Sequence, residues 1–205
     1  CYAASCGFRG HKKVGLTADD LRRSISHRKG ESENGIRRDL PNFVWSDDVL
    51  RLCENFGITQ EDVAFDPIRR RVVFILRDFR GRAVDAIGRT ICNQNPKWYR
   101  YTDSKAPVVV GDGDWLIIVE DIVSARKACL ACPAAASMAL LGTNLTTEHL
   151  VAAGQYKSVF ICLDQDATDK AVAMHRRLSA FVDRCKVMML SSDLKDMNLE
   201  DIGGL

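Results

Sequence analysis

Apolar residues change their period along this chain, and the changes predict its elements. Between Ser46 and Gly57, Val49, Leu50, Leu52, Cys53 and Phe56 recur at helical spacing. With Ser46 as N-cap and Gly57 just past the end, this stretch predicts a short amphipathic helix. From Arg69 onward the pattern becomes extended. Arg71–Leu76 reads as a strand, residues 77–82 as a turn and Ala83–Ile87 as the returning strand. After Pro107, apolar runs alternate with helical patterns. Trp115–Val119 leads into a helix through Ile122, Ala125 and Leu130, and Ala136–Leu141 leads through Gly142 and Thr143 into Thr146–Ala153. Ser158–Leu163 leads into Thr168–Phe181, and Lys186–Leu190 closes the series. Strand and helix in alternation predict a parallel sheet with right-handed crossovers and helices on both faces. The fold class is therefore α/β, a parallel sheet preceded by a smaller basic α+β subdomain. The boundaries fall at 41–107 for the subdomain and 108–205 for the sheet domain, after a tail and linker at 1–40.

Two of the predicted strands end in acid. Trp115–Val119 runs into Glu120 and Asp121, and Ser158–Leu163 runs into Asp164 and, one residue further on, Asp166. Residues i and i+2 of an extended chain point to the same side, so Asp164 and Asp166 would present two carboxylates beyond a strand end. In open α/β sheets that rim is where ligands bind. Asp196, after the last strand, is expected at the same rim. Such a set suits a divalent cation, which in turn holds phosphates. Asp121 and Asp166 also stand where helices begin, and a carboxylate is favourable there in any case.

The chain has 205 residues, 46% of them hydrophobic, ample for a real core. No apolar run approaches the ~18 residues of a membrane span, and the N-terminus has no charged-then-apolar signal pattern. The expectation is a soluble cytoplasmic protein, and beginning at Cys1 suggests a fragment or processed product. A net charge of +2 conceals two unlike halves: residues 1–100 carry +6 and residues 101–205 carry −4. Nine basic residues fall within residues 69–100: Arg69, Arg70, Arg71, Arg77, Arg80, Arg82, Arg89, Lys97 and Arg100. Trp98, Tyr99 and Tyr101 interleave with the last of them. Basic side chains with aromatics on strands suit single-stranded nucleic acid, while a solvated charged hairpin is the plainer alternative.

Eight cysteines in such a chain are expected to be reduced, buried or metal-bound. Cys53, Cys92, Cys162 and Cys185 sit among hydrophobic residues and read as core, and the Cys129–Cys132 pair, without a second pair downstream, reads as structural. Cys1 and Cys6 have the form of half a zinc ribbon, with the other ligands upstream or His11 joining them; a frayed tail is the alternative. The four histidines are scattered, and His149 and His175 read as surface or capping residues.

The ordered set of motifs resembles the DnaG-type primases and, more widely, the Toprim domain that primases share with topoisomerases and some nucleases. Arg71–Leu76, Arg77-Asp78-Phe79-Arg80-Gly81-Arg82, Ile87-Gly88-Arg89 and Pro96-Lys97-Trp98-Tyr99 are similar to the basic half of the primase RNA polymerase domain. Ile118-Val119-Glu120-Asp121, Leu141–Thr146, Leu163-Asp164-Gln165-Asp166-Ala167 and Lys195-Asp196 continue it in order, so the resemblance covers roughly residues 45–200. It implies a template-directed RNA polymerase that makes short primers on single-stranded DNA from NTPs, with Mg²⁺ or Mn²⁺ and a replicative helicase as partner. On this resemblance Glu120, Asp164 and Asp166 are the catalytic metal-site acids, with Asp196 and Asp121 beside them. Arg69, Arg71 and Lys97, then Arg77, Arg82 and Arg89, bind primer, template or nucleotide phosphates. Cys1 and Cys6 match the tail of a preceding zinc-binding domain. The chain departs from the pattern at Asp121, Ser124, Met197 and Asn198, where the family commonly has Gly, Asp, Pro and Asp. The departures and the compactness fit a phage or mobile-element type. Two other functions compete: a Toprim nuclease or topoisomerase-like enzyme, and a nucleic-acid-binding module with a decayed Toprim site.

Overall fold

A computed structural model describes residues 40–77, 82–104, 106–142 and 144–204. The expected zinc ligands Cys1 and Cys6, and the turn residues 78–81, lie outside them. Helix α1, Asp47–Phe56, forms as its sequence predicts. Ser46 Oγ accepts a hydrogen bond from the Asp48 amide, and Gly57 closes the helix in the left-handed region at φ +62°. The helix buries Val49, Leu52 and Cys53 against a four-stranded antiparallel sheet. That sheet comprises β1 (Val63–Asp66), β2 (Arg71–Arg77), β3 (Ala83–Thr90) and β4 (Trp98–Arg100) in sequential order. The β2–β3 hairpin is the one read from the sequence. Strands β1 and β4 were not expected, because four- and three-residue strands are too short to show a period.

The second sheet contains β5 (Val108–Val110), β6 (Trp115–Val119), β7 (Ala135–Ala139), β8 (Ser158–Ile161) and β9 (Arg184–Val187), in the order β5-β7-β6-β8-β9. Four strands are parallel, and the unforeseen β5 pairs antiparallel with β7 at one edge. Strand β9 begins two residues earlier and ends three residues earlier than the expected strand Lys186–Leu190. Leu190 is buried in the loop beyond it, so its apolarity marks core and not strand. Helices α2 (Ile122–Ala131), α3 (Thr147–Ala153), α4 (Thr168–Leu178) and α5 (Leu199–Gly203) flank this sheet.

The central strand β6 shows why the run Trp-Leu-Ile-Ile-Val is apolar throughout. Ile117 and Val119 join a core cluster with residues of α2 and α5, whereas Leu116 and Ile118 join another with residues of α3 and α4. The first cluster also takes in Val49, Val72, Phe74 and Ile87 from α1 and the antiparallel sheet, so one core joins both sheets. The turn into β6 depends on Gly113, where a Cβ would run into the Ala134 carbonyl. Because that neighbour is backbone, Gly113→Ala is expected to destabilise the fold by about 2 kcal/mol, as overpacking does, measured by urea unfolding. Among the described residues no helix is long and apolar enough to cross a membrane.

Candidate functional site

The chain leaves β6 through α2 toward the β7 side, and it leaves β8 through α4 toward the β9 side. These two helices pack on opposite faces of the sheet. Strands β6 and β8 are parallel neighbours, so a crevice opens between their carboxyl ends, at the position where doubly wound sheets bind ligands. Glu120 is the first residue after β6, and Asp164 lies just beyond β8, so the two acids flank this crevice.

Burial, then hydrogen bonding with the Asp164 side chain, then the charges of Asp164, Asp166 and Asp121 push Glu120 up to about 7. Asp121 is itself the N-cap of α2, accepting from the Ser124 amide at 2.9 Å, so its helix-start role is real. Asp166 is exposed inside the 3-10 turn Gln165–Ala167 and is the N-cap neither of that turn, which is Asp164, nor of α4, which is Ala167. Asp196 does not join these acids. It is exposed, at the end of the 3-10 turn Leu194–Asp196, and acts on Lys127, where it opposes the lowering of that ammonium's pKa by burial. The same turn instead brings Lys195 to the acids, with Nζ 3.4 Å from Asp164 Oδ2 and also bonded to Asp193. Asn198 caps α5 by accepting from the Asp201 amide at 2.7 Å.

A carboxyl with a folded pKa raised from 4.5 to about 7 binds more protons in the folded than in the unfolded chain across that interval. Glu120 therefore favours the fold below pH 4.5, and its contribution is lost as pH rises toward 7. Melting temperature is expected to fall over this window in the metal-free protein, and Glu120→Gln is expected to flatten that slope in a series of thermal melts.

A cleft of about 370 Å³ adjoins the acidic rim. One wall is the antiparallel sheet, through Ile87, Trp98, Tyr99 and Arg100; the other is the end of β7 and the start of α3, including Leu141, Glu148 and His149. The rim and the cleft share the loop 140–142. The Leu140 amide donates to the Val119 carbonyl at 3.0 Å, and the Gly142 amide to the Glu120 carbonyl at 3.3 Å. Gly142 stands at φ +139°, a conformation side chains rarely adopt. His149 is a capping residue, as expected: its Nδ1 accepts from the Thr146 amide in a reciprocal capping box.

The expected phosphate-binding residues divide into outward and inward groups. Arg69 is partly exposed, and its guanidinium lies over the rings of Tyr99 and Tyr101 at 5.2 and 5.6 Å. Buried Asp66 holds it there, accepting from the Arg69 side chain, the Arg69 and Ile68 amides and the Tyr101 hydroxyl. Burial alone would raise the Asp66 carboxyl, but these donors outweigh it and hold it below its usual value. Lys97 and Arg82 are exposed. Arg77 pairs with Asp62 at 2.6 Å. Arg89 packs over Phe56 and Trp98, at 4.8 and 5.4 Å, with Nη1 buried and without a partner. Arg71 is only 4% exposed and donates to the carbonyls of Pro96 (2.8 Å), Lys97 (3.2 Å) and Gly88 (3.4 Å). Its position in the sequence resembles a phosphate ligand, but its contacts are those of a strut. Asp66 escaped the sequence reading, as did the partners of Tyr101 and Lys195, because these contacts join residues up to 35 positions apart.

Among the described residues no group of three or more His, Cys, Asp or Glu side chains could hold a metal ion by itself. Two carboxylates nonetheless fit Mg²⁺, which keeps several waters and is held by one or two carboxylates together with substrate phosphates. Glu120 and Asp164, brought together in a partly buried crevice, form a hard-oxygen donor pair of that kind.

No protein-family model and no curated protein matches the sequence. Solved structures do match. The chain aligns with a DnaG primase catalytic domain bound to ssDNA at 23% identity and TM-score 0.52, over 88% of this chain and 67% of that one. The RNA polymerase domain of Mycobacterium tuberculosis primase DnaG aligns at 16% identity and TM-score 0.54, over 92% of this chain and 77% of that one. The primase fragment of the Bacteriophage T7 primase-helicase aligns at 11% identity and TM-score 0.54, over 84% and 79%. These similarities show the fold, a mixed α/β architecture like that of primase catalytic cores.

Proposed function

We propose that this chain is the RNA polymerase core of a DNA primase, joining NTPs into short RNA primers on a single-stranded DNA template. The observation that carries the reading is the meeting of Glu120 and Asp164 at the switch-point crevice of this sheet, beside a cleft lined by Trp98, Tyr99 and Arg100 of β4. Phosphoryl transfer needs charge neutralised on the triphosphate and a hydroxyl positioned in line with it. In this proposal Glu120 and Asp164 hold Mg²⁺ or Mn²⁺, which supplies that neutralisation when bound. Asp166 and Asp121 hold the surrounding waters. Arg69, fixed by Asp66 and stacked on two tyrosines, meets phosphates of the template or nucleotide, together with Lys97 and Arg82. Arg71 serves indirectly, by holding the backbone that carries Lys97. The primase likeness of the solved structures supports the same direction. A zinc at Cys1 and Cys6, a helicase partner and a phage or mobile-element setting belong to the proposal on the sequence resemblance alone.

The lack of a three-acid group among the described residues favours a second reading, a nucleic-acid-binding module with a decayed site. A topoisomerase-like role finds no support in Tyr101. Burial, then its hydrogen bond to Asp66, raise its pKa and keep the hydroxyl protonated. Primer synthesis decides between the first two readings. Radiolabelled NTP incorporation on a single-stranded template with Mg²⁺ or Mn²⁺ is expected from the wild-type chain. Template binding with no metal-dependent incorporation would establish the binding module.

A further inference from the structure

The loop after β9 brings the acidic rim a cation, Lys195, and leaves the neighbouring Asp196 exposed. Lys195 Nζ stands 3.4 Å from Asp164 Oδ2, and the two side chains are only 11% and 14% exposed. This lysine is built into place. Its ammonium is bonded to Asp193, and its carbonyl accepts from buried Lys127 at 2.8 Å. The preceding residue, Leu194, is anchored in the core at 1% exposure. Between the two rim aspartates, Gln165 donates to the Leu190 and Ser191 carbonyls at 3.0 and 2.7 Å, fixing the loop against the end of β8.

Two oxygen ligands in this loop are occupied elsewhere, since Asp193 pairs with Lys195 and Asn198 caps α5, and Asp196 is exposed. Many phosphoryl-transfer sites use two divalent ions about 4 Å apart, each needing carboxylate oxygens. Here an ammonium already pairs with Asp164 at 3.4 Å, in a half-buried setting where charges are weakly screened.

We propose that Lys195 takes the place of a second divalent cation, so that the Glu120–Asp164 pair accepts one ion. The inference rests on the reading of those two acids as metal ligands. Binding of Mn²⁺ to the whole chain, followed by electron paramagnetic resonance of the free ion, tests it without reference to catalysis. Wild type is expected to bind one Mn²⁺. Lys195→Met, which keeps the stem and removes the charge, is expected to bind a second ion or to bind the first about tenfold more tightly. Lys195→Gln, measured alongside it, retains a donor for Asp193 and is expected to behave in the same way, whereas Lys195→Arg should stay at one ion. Two ions on wild type, or unchanged stoichiometry and affinity in both neutral variants, would overturn the proposal. A wild-type ion that survives Glu120→Gln with Asp164→Asn would instead overturn the metal-ligand reading beneath it.

Discussion

Replacing Asp164 by Asn is expected to lower NTP incorporation on the order of 10³-fold, about 4 kcal/mol of transition-state stabilisation, while leaving the fold intact. The substitution keeps the shape and a hydrogen-bonding group beside Glu120. It removes the charge that is proposed to hold the cation. It relieves one of the charges raising Glu120 and gives up the Lys195 ion pair, whose ammonium keeps Asp193, so the melting temperature near neutral pH should stay close to that of wild type. Loss of incorporation with little change in melting temperature separates a role in chemistry from a role in packing. If incorporation stays within a few-fold of wild type, as measured by primer extension at saturating Mg²⁺, Asp164 does not hold the ion that matters.

Arg71→Ala is expected to destabilise the protein by about 3 kcal/mol or more, a larger effect than any other single arginine in the hairpin should give. Its guanidinium is buried and donates to three carbonyls, two of them at Pro96 and Lys97, where the chain turns toward β4. Hydrogen bonds from a charged group contribute roughly 1.5–3 kcal/mol, and their loss here also leaves buried carbonyl oxygen without its donor. The aliphatic stem adds packing that alanine cannot replace. Urea unfolding checks the magnitude. An Arg69→Ala variant is the contrast: its partly exposed guanidinium should weaken single-strand binding and its salt dependence with a far smaller change in stability. An Arg71→Ala variant as stable as wild type would return Arg71 to the phosphate-binding set.

Long-period features were legible in the sequence. The cap residues Ser46 and Gly57, the β2–β3 hairpin and the order of alternating strands and helices from Trp115 onward appear as the apolar pattern predicts, with β9 displaced toward the N-terminus. Positions fixed by distant partners were not legible. Strands β1, β4 and β5 have three or four residues each and owe their existence to neighbours across a sheet. At the site, the meeting of Glu120 and Asp164 could be anticipated because both follow apolar strands of one sheet. The destination of the loop after β9 could not, since Lys195 and Asp196 are adjacent in sequence and only the 3-10 turn decides which faces Asp164. The arginines show the same division: a count of basic residues cannot separate Arg69 on its tyrosine rings from Arg71 beneath them.

The core that joins the antiparallel sheet to one face of the parallel sheet bears on how a strand could enter the cleft. Val72, Phe74 and Ile87 share one apolar cluster with Ile117, Val119 and Val123, so drawing the two walls apart would expose those side chains to water. The two sheets are thus coupled as the jaws of a fixed gauge and not of a hinged clamp. A single strand laid against Trp98 and Tyr99 would be measured against a gap whose width is set before it arrives, and selection would act on what fits.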